Sequence, residues 1–227
     1  MDLTTWTPRP RPRPDNLSGD RVVLERLDWE RHGAGLAAIA CGPVAAPDWR
    51  YMPIGPFSDL TEFQRGFSEA SEAGGWETLV FRIRARDDAA IAGMASYMRI
   101  REAHGSAEAG AVLFGPALKR SSAATEAMCL MAAHLFDDLG YRRYEWKCHN
   151  DNGASKRAAE RLGFRFEGVF RNDMVMKGEN RDTAWFAMTD GDWPLIRSGF
   201  ATWLAAANFD AQGLQRRSLE ACRRDAA

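Results

Sequence analysis

Between Glu77 and Phe114 the chain carries three strand-like runs in close succession, Glu77–Arg84, Ala90–Ile100 and Ala107–Phe114. Side chains that alternate with a period of two specify strands, and Asp87-Asp88 and His104-Gly105 supply turn chemistry between the runs. The gaps are too short for a crossover helix. A meander of neighbouring antiparallel strands is the economical topology.

The flanks extend this frame. Upstream, Arg21–Leu27 sets Val22 and Leu24 against Val23 and Glu25, another strand, and Asp28 can cap a helix running to about Cys41. Gly42–Pro56 reads as a loop of aromatic weight, with Trp49, Tyr51 and Met52. Ser58 can cap a second helix whose Leu60, Phe63 and Phe67 share a face. Downstream, a helix is expected from about Ser122 to Leu139, with Ala124, Met128, Met131 and Leu135 as its apolar stripe and Gly140 as its stop. Strand Arg143–Cys148, a short helix over Ser155–Leu162 ended by Gly163, and strands Arg165–Phe170 and Thr183–Thr189 follow. The order β-α-α-β-β-β-α-β-α-β-β defines an α/β (α+β) domain, its mixed, mostly antiparallel sheet having about seven strands.

Outside this frame, residues 1–19 form an extended leader in which PRPRPRP (8–14) favours a polyproline-II arm, Arg9, Arg11 and Arg13 in water. After Trp193-Pro194, residues 194–227 read as a helical extension with Ile196, Phe200, Leu204 and Ala207 on one face and a basic end, Leu214–Arg224. That tail can pack on the domain or on a second subunit, so a homodimer is one arrangement it would serve.

Composition excludes some classes of function. A net charge of −1 over 227 residues provides no global attraction for nucleic acid or an anionic membrane. Three leader arginines are a weak phosphate footprint, and a nucleic-acid partner is not expected. Met1–Pro14 has no apolar secretory core, and no stretch approaches the ~18 apolar residues of a membrane span. Cys41, Cys129, Cys148 and Cys222 are scattered and the histidines lack ligand spacing, so the expectation is reduced thiols, a cytoplasmic location and no metal.

Two segments join a strand end to a helix start. In residues 113–127, Ser121, Ser122, Ala123 and Ala124 leave uncrowded amides at a positive helix end, with Lys119 and Arg120 beside them, a geometry that binds phosphate. A serine-capped helix with an exposed basic turn explains the same residues. In residues 150–168, Asn152-Gly153 makes a turn, Ser155 opens a helix and Leu162-Gly163-Phe164 closes it, features a plain capped helix also shows.

Together the pair resembles the two coenzyme A motifs of GNAT acetyltransferases, and within them the RimJ/RimL type, the ribosomal-protein alanine acetyltransferases. Asn152-x-x-Ser155, Leu162-Gly163-Phe164 and Glu167-Gly168 match the second motif, and Ala124-Thr125-Glu126-Ala127 matches the end of the pyrophosphate motif. Asp182 and Trp193-Pro194 stand where that branch places an Asp and a closing Trp. The resemblance spans roughly residues 20–193. Its phosphate loop, Gln/Arg-x-x-Gly-x-Gly/Ala, is met here by Lys119, Ser122 and Ala124. Serine at a glycine position keeps the amide, provided the backbone stays right-handed there.

The resemblance implies a GNAT fold, acetyl-CoA as cosubstrate and direct acetyl transfer to a primary amine, on a small molecule or a peptide N-terminus. Glu108 is the expected base, on the face shared with Gly110 and Val112, with Asp173 and Asp182 in reserve. Met174 stands where RimL-like enzymes place a carboxylate. Amides near Val112–Phe114 would hold the oxyanion, Asn152 a pantetheine amide, and Ser155 would protonate the sulfur. Val112, Phe114, Lys119, Arg120, Ser121, Ser122, Ala123, Ala124, Thr125, Asn152 and Ser155 form the expected cofactor surface. The acceptor would lie over Trp49-Arg50-Tyr51-Met52, near His104 or Trp185. The alternative is a weakly catalytic fold that binds acyl-CoA or a protein partner.

Overall fold

The computed structural model describes residues 3–84 and 90–225, so the expected Asp87-Asp88 turn lies outside the described residues. Its eight-stranded sheet comprises β1 (Asn16–Ser18), β2 (Val22–Arg26), β3 (Glu77–Ile83), β4 (Ile91–Arg101), β5 (Ser106–Phe114), β6 (Arg143–His149), β7 (Arg165–Met176) and β8 (Glu179–Thr189). The spatial order is β1-β2-β3-β4-β5-β6-β8-β7. Every pair is antiparallel except β5–β6, as a strand-helix-strand crossover requires. The helices are α1 (Trp29–Ala40), α2 (Leu60–Gly74), α3 (Ser122–Ala133), α4 (Gly153–Leu162), α5 (Trp193–Leu204) and α6 (Leu219–Arg224).

The two sheet faces bury separate cores. Val80, Met94 and Leu113 meet Leu36 of α1 and Phe63 and Phe67 of α2, with Trp49 and Phe57 from the intervening loop. Leu24, Phe81, Tyr97, Tyr144 and Phe186 meet α3, α4 and α5 on the opposite face. Alternation along each strand feeds both cores.

Caps fix the helix starts. Asp28 accepts from the amides of Glu30 and Arg31, as expected. For α2 the cap is Asp59 rather than Ser58: Asp59 accepts from the Glu62 amide at 2.9 Å, and Glu62 reaches back to the Ser58 amide at 2.7 Å. This near-capping-box arrangement uses the stronger acceptor. The α3 helix gives way at His134–Asp138 to a π turn before Gly140, where φ is +67°.

Three expectations need correction. The leader arginines are not all in water. Arg11 pairs with Glu77 (2.7 Å) and Glu102 (3.0 Å), Arg9 donates to the Gly140 carbonyl at 3.1 Å, and Arg13 lies 3.4 Å from Glu77. Trp6 donates to the Ala103 carbonyl at 2.8 Å, and Arg9 and Arg142 lie over its ring. The extended arm suits docking because it leaves carbonyls for partners, as Pro10 does for Tyr141. Second, β7 and β8 run past the expected ends to a two-residue turn at Lys177-Gly178, both at positive φ. The tail packs on its own domain, one of the two arrangements expected, with Ile196, Phe200 and Trp203 buried in the α3-side core. Third, Ala207 does not share that buried face: it is exposed, because α5 stops at Leu204. Among the described residues no helix is long and apolar enough to cross a membrane.

Candidate active site

The parallel ladder between β5 and β6 pairs Ser106–Ala109 with Arg143–Trp146 and then ends. Beyond it β5 stays with β4 and β6 stays with β8, so the two strands part in a wedge. A bulge in β5 accompanies the parting. Gly110 pairs with Ser96 and Leu113 with Met94, leaving Ala111 and Val112 opposite Ala95, with Ala111 at φ +48°. The extra residue reverses the facing of the strand. Val112 and Phe114 pack toward the α3 core, whereas Glu108 and Gly110 face the α1–α2 side, so Glu108 and Val112 do not share a face as expected.

Glu108 stands just below the wedge, 2% exposed. Lys147 Nζ lies 3.5 Å and Arg99 Nε 3.6 Å from its Oε2, which has no hydrogen-bond partner. Burial drives its carboxyl up to about 7, Lys147 and Arg99 pull it down, and the neighbouring Glu145 pushes it up again. Arg99 reaches this position from a second irregularity, at φ +46° in β4, where register shifts between Met98 and Arg101. Trp185 lies between the cations, with Arg99 at 5.2 Å and Lys147 at 5.4 Å from the ring. Phe170 packs on Trp185 at 5.1 Å.

Gly110 completes this wall. A Cβ there would collide with Met98 Sδ and come within 3.3 Å of Glu108 Oε1, so a larger residue would have to displace Met98. Around the wedge, Tyr51 packs on His149 at 5.2 Å and Lys177 donates to the Trp49 carbonyl at 2.8 Å. Trp49 itself is core, its indole donating to the Ala40 carbonyl. His104 stands apart, beside Arg101, Ser106, Arg142 and Glu145 near the start of β5.

On the α3 side, Asn152 caps α4, its Oδ1 accepting from the Ser155 amide at 3.0 Å. Ser155 therefore does not open the helix, which begins at Gly153. Its hydroxyl accepts from Trp146 Nε1 at 2.9 Å and also meets Cys148 at the end of β6. At the start of α3, Ser121 is the cap, accepting from the Ala124 amide at 3.1 Å. The amides of Ser122 and Ala123 remain the donors of the first turn. Ser122, the first residue of α3, has right-handed backbone, so serine replaces glycine without strain.

Other parts of the expected surface are engaged elsewhere. Thr125 is buried and accepts from Arg161 of α4 at 3.0 Å. Lys119 is paired with Asp48 at 2.8 Å, while Arg120 is exposed at φ +61°. Glu126 is a tie between elements: it accepts from the amides of Arg21 (2.7 Å) and Val22 (3.0 Å) at the entry to β2. Asp182 is held by the Asn172 amide and the Asn180 side chain, which keep it below the usual carboxylate range, and Asp173 is exposed. Neither has the buried setting of Glu108.

A sheet whose single parallel pair opens beside a helix N-terminus, with a buried carboxylate at the fork, defines an acyl-CoA-dependent N-acyltransferase of the GNAT type. The comparisons agree. The model of the acetyltransferase (GNAT) domain matches residues 21–165. A GCN5-related N-acetyltransferase from Brucella melitensis is 42% identical with a TM-score of 0.92, over 98% of this chain and 100% of that one. A probable acetyltransferase of the GNAT family from Chromobacterium violaceum is 37% identical with a TM-score of 0.78, over 86% of this chain and 96% of that one. The self-immunity acetyltransferase MccE for microcin C7, solved with acetyl-CoA and AMP, is 18% identical (TM-score 0.62, 75% of this chain, 93% of that one) and shares the fold. No curated protein matches the chain.

The chain belongs to the GNAT acetyltransferase family, whose members use acetyl-CoA. The residues fit that cosubstrate: two first-turn amides of α3 and a wedge between β5 and β6. Sequence reasoning missed Lys147, Arg99 and Arg181 as neighbours of Glu108. The register of Lys147 opposite Trp185 had a signal in the period-two pattern, but the bulge at Arg99 had none.

Proposed function

We propose that this chain transfers an acetyl group from acetyl-CoA directly to a primary amine, carried by a small molecule or a peptide N-terminus, as a member of the RimJ/RimL-type branch. The observation that carries the reading is Glu108: a carboxyl buried at the fork of the sheet and poised at about 7. A base is most useful when its protonation point lies near working pH.

Acetyl-CoA would supply a thioester carbonyl. The amides of Ser122 and Ala123 would hold its phosphates, and Asn152, whose Oδ1 caps α4, keeps its side-chain N–H₂ for a pantetheine carbonyl. Glu108 takes a proton as the amine nitrogen forms its bond to carbon. Amides of the bulged segment Val112–Phe114 hold the carbonyl oxygen as negative charge develops. The carbon–sulfur bond then breaks, and Ser155 passes a proton to the leaving sulfur, regaining one through solvent as Glu108 releases its own. The account needs no acyl-enzyme, and burial raises the Cys148 thiol above its ordinary range, which disfavours a thiolate nucleophile.

A cytoplasmic location is part of this proposal, and the four free cysteines suit a compartment that keeps thiols reduced. Arg9 and Arg11 are occupied by the domain, which argues against a nucleic-acid arm. The test is thiol release from acetyl-CoA across a broad amine panel, with Glu108→Gln beside the parent. Release that requires both an amine and Glu108 supports transfer. Tight coenzyme binding with no release by any amine would instead favour a binding module.

A further inference from the structure

Among the described residues Arg181 is a cation that forms no ion pair; Glu108 and Asp173 act on it only at longer range. Its side chain projects from β8 on the same face as Thr183 and Trp185, the face that carries Lys147 and Glu108. It is only 5% exposed. Its Nε donates to Thr183 Oγ1 at 3.2 Å and its Nη1 contacts Met176 Sδ at 3.6 Å. Among the described residues no carboxylate lies within ion-pair distance of it. The bond to Thr183 holds Nε along the strand, while Nη1 meets Met176, the residue before the Lys177-Gly178 turn. Register places Thr183 opposite His149 and Trp185 opposite Lys147, so the guanidinium is level with the open end of β6.

A buried guanidinium is costly unless an anion or several hydrogen-bond acceptors compensate it. Thioether sulfur and one hydroxyl are weak compensation for a five-donor group. Trp185 repeats the pattern, since its indole N–H is buried with no acceptor. The local charge points the same way. Arg99, Lys147 and Arg181 face one carboxylate, Glu108. Glu145 is already held by Arg101 at 2.6 Å and Arg143 at 2.8 Å, and Asp173 is exposed on β7. The acceptor side of the fork therefore has more cations than the one carboxylate they face, although Oε2 of Glu108 and of Glu145 has no hydrogen-bond partner.

We infer that the acceptor amine carries its own anionic oxygen group, a carboxylate or a phosphate, which docks on Arg181 while the nitrogen faces Glu108. The inference rests on the transfer reading and narrows its substrate class to amino acids, acidic amines and aminoalkyl phosphates, away from a plain peptide N-terminus. Arg181 is then a specificity residue. Its planar fork suits bidentate contact with a carboxylate or phosphate, and the low exposure of the site strengthens the pairing. A neutral amine would enter against three cations and leave the guanidinium unpaired.

The test separates binding from turnover. Calorimetry of the protein saturated with coenzyme A is run against three groups of probes: common α-amino acids, their C-terminal amides, and aminoalkyl phosphates with their parent amino alcohols. The expected result is that acids or phosphates bind on the order of 10- to 100-fold more tightly than their neutral partners. In Arg181→Met the preference falls to a few-fold, and in Arg181→Lys part of it returns, with thermal melting confirming that each variant folds. The acid and phosphate arms show which anion is read. Equal or tighter binding of the neutral partners, no binding of any anionic amine at millimolar concentration, or a preference unchanged in folded Arg181→Met overturns the inference. Thiol release with the same probes reads the transfer reaction separately: neutral amines that react while anionic ones do not would sink this inference and leave transfer standing.

Discussion

Glu108 and Lys147 face each other at 3.5 Å from adjacent parallel strands, just below the point where β5 and β6 separate. The pair explains why a carboxyl with 3% side-chain exposure titrates near neutrality instead of far above it. Burial alone disfavours the ionised form, and Lys147, helped by Arg99, restores part of it. Lys147→Met should therefore move the protonation point of Glu108 above about 7. The ascending, low-pH limb of the pH–rate profile should shift to higher pH with it. An unshifted limb in a folded variant would remove Lys147 from the account.

The same carboxyl links stability to pH with a definite sign. Its folded value, about 7, is raised above the ordinary 4.5, so between those points the folded state binds the extra proton. Stability from this group is fully present below about 4.5, declines as pH rises toward about 7, and stays flat above. Glu108→Gln keeps the shape and removes the titration. Its melting temperature should gain on the parent across that window, read by thermal scans at matched ionic strength.

Asn152 and Ser155 should separate when substituted. Asn152→Ala removes the α4 cap, at a cost of about 0.5–2 kcal/mol, and should also weaken acetyl-CoA binding by calorimetry. Ser155→Ala leaves the cap intact but strands the Trp146 indole N–H, costing about 1–3 kcal/mol, and should lower turnover more than coenzyme affinity. A Ser155→Ala variant with unchanged turnover would leave that residue a structural partner of Trp146 alone.

The fold was readable wherever a strand or helix buries one face. The alternation of Val22 and Leu24 and the Phe63–Phe67 spacing lead to the observed cores. Elements lacking such a face were harder to read. The three-residue β1 is too short to display a period, and the edge strand β7 is exposed along both sides, so its half beyond Phe170 shows no alternation. Within the proposed site, Glu108, Asn152 and Ser155 are candidates that motif and strand position already supply. The bulges at Ala111 and Arg99 could not be named, because neither residue type announces a positive φ. They are what turn Val112 away from Glu108 and bring Arg99 toward it. Docking of the leader escaped notice because its partners, Glu77, Ala103 and Gly140, are distant in sequence.

That docking is open to test. Arg11→Ala breaks ion pairs with Glu77 and Glu102 that solvent partly screens, and should cost about 1 kcal/mol, or a few degrees in melting temperature. Coenzyme affinity should not change. Steeply salt-dependent RNA or DNA binding by the parent, lost in this variant, would contradict the expectation that the arm serves no nucleic acid.

The most direct test of the central claim is the pH dependence of kcat/KM for acetyl-CoA-dependent thiol release, using an acceptor whose own amine deprotonates well below neutrality. The parent should gain activity through a limb near 7. Glu108→Gln should lose that limb and fall by roughly a hundred- to ten-thousand-fold. A Glu108→Gln enzyme that keeps the parent's rate and profile would contradict the assignment of Glu108 as the base.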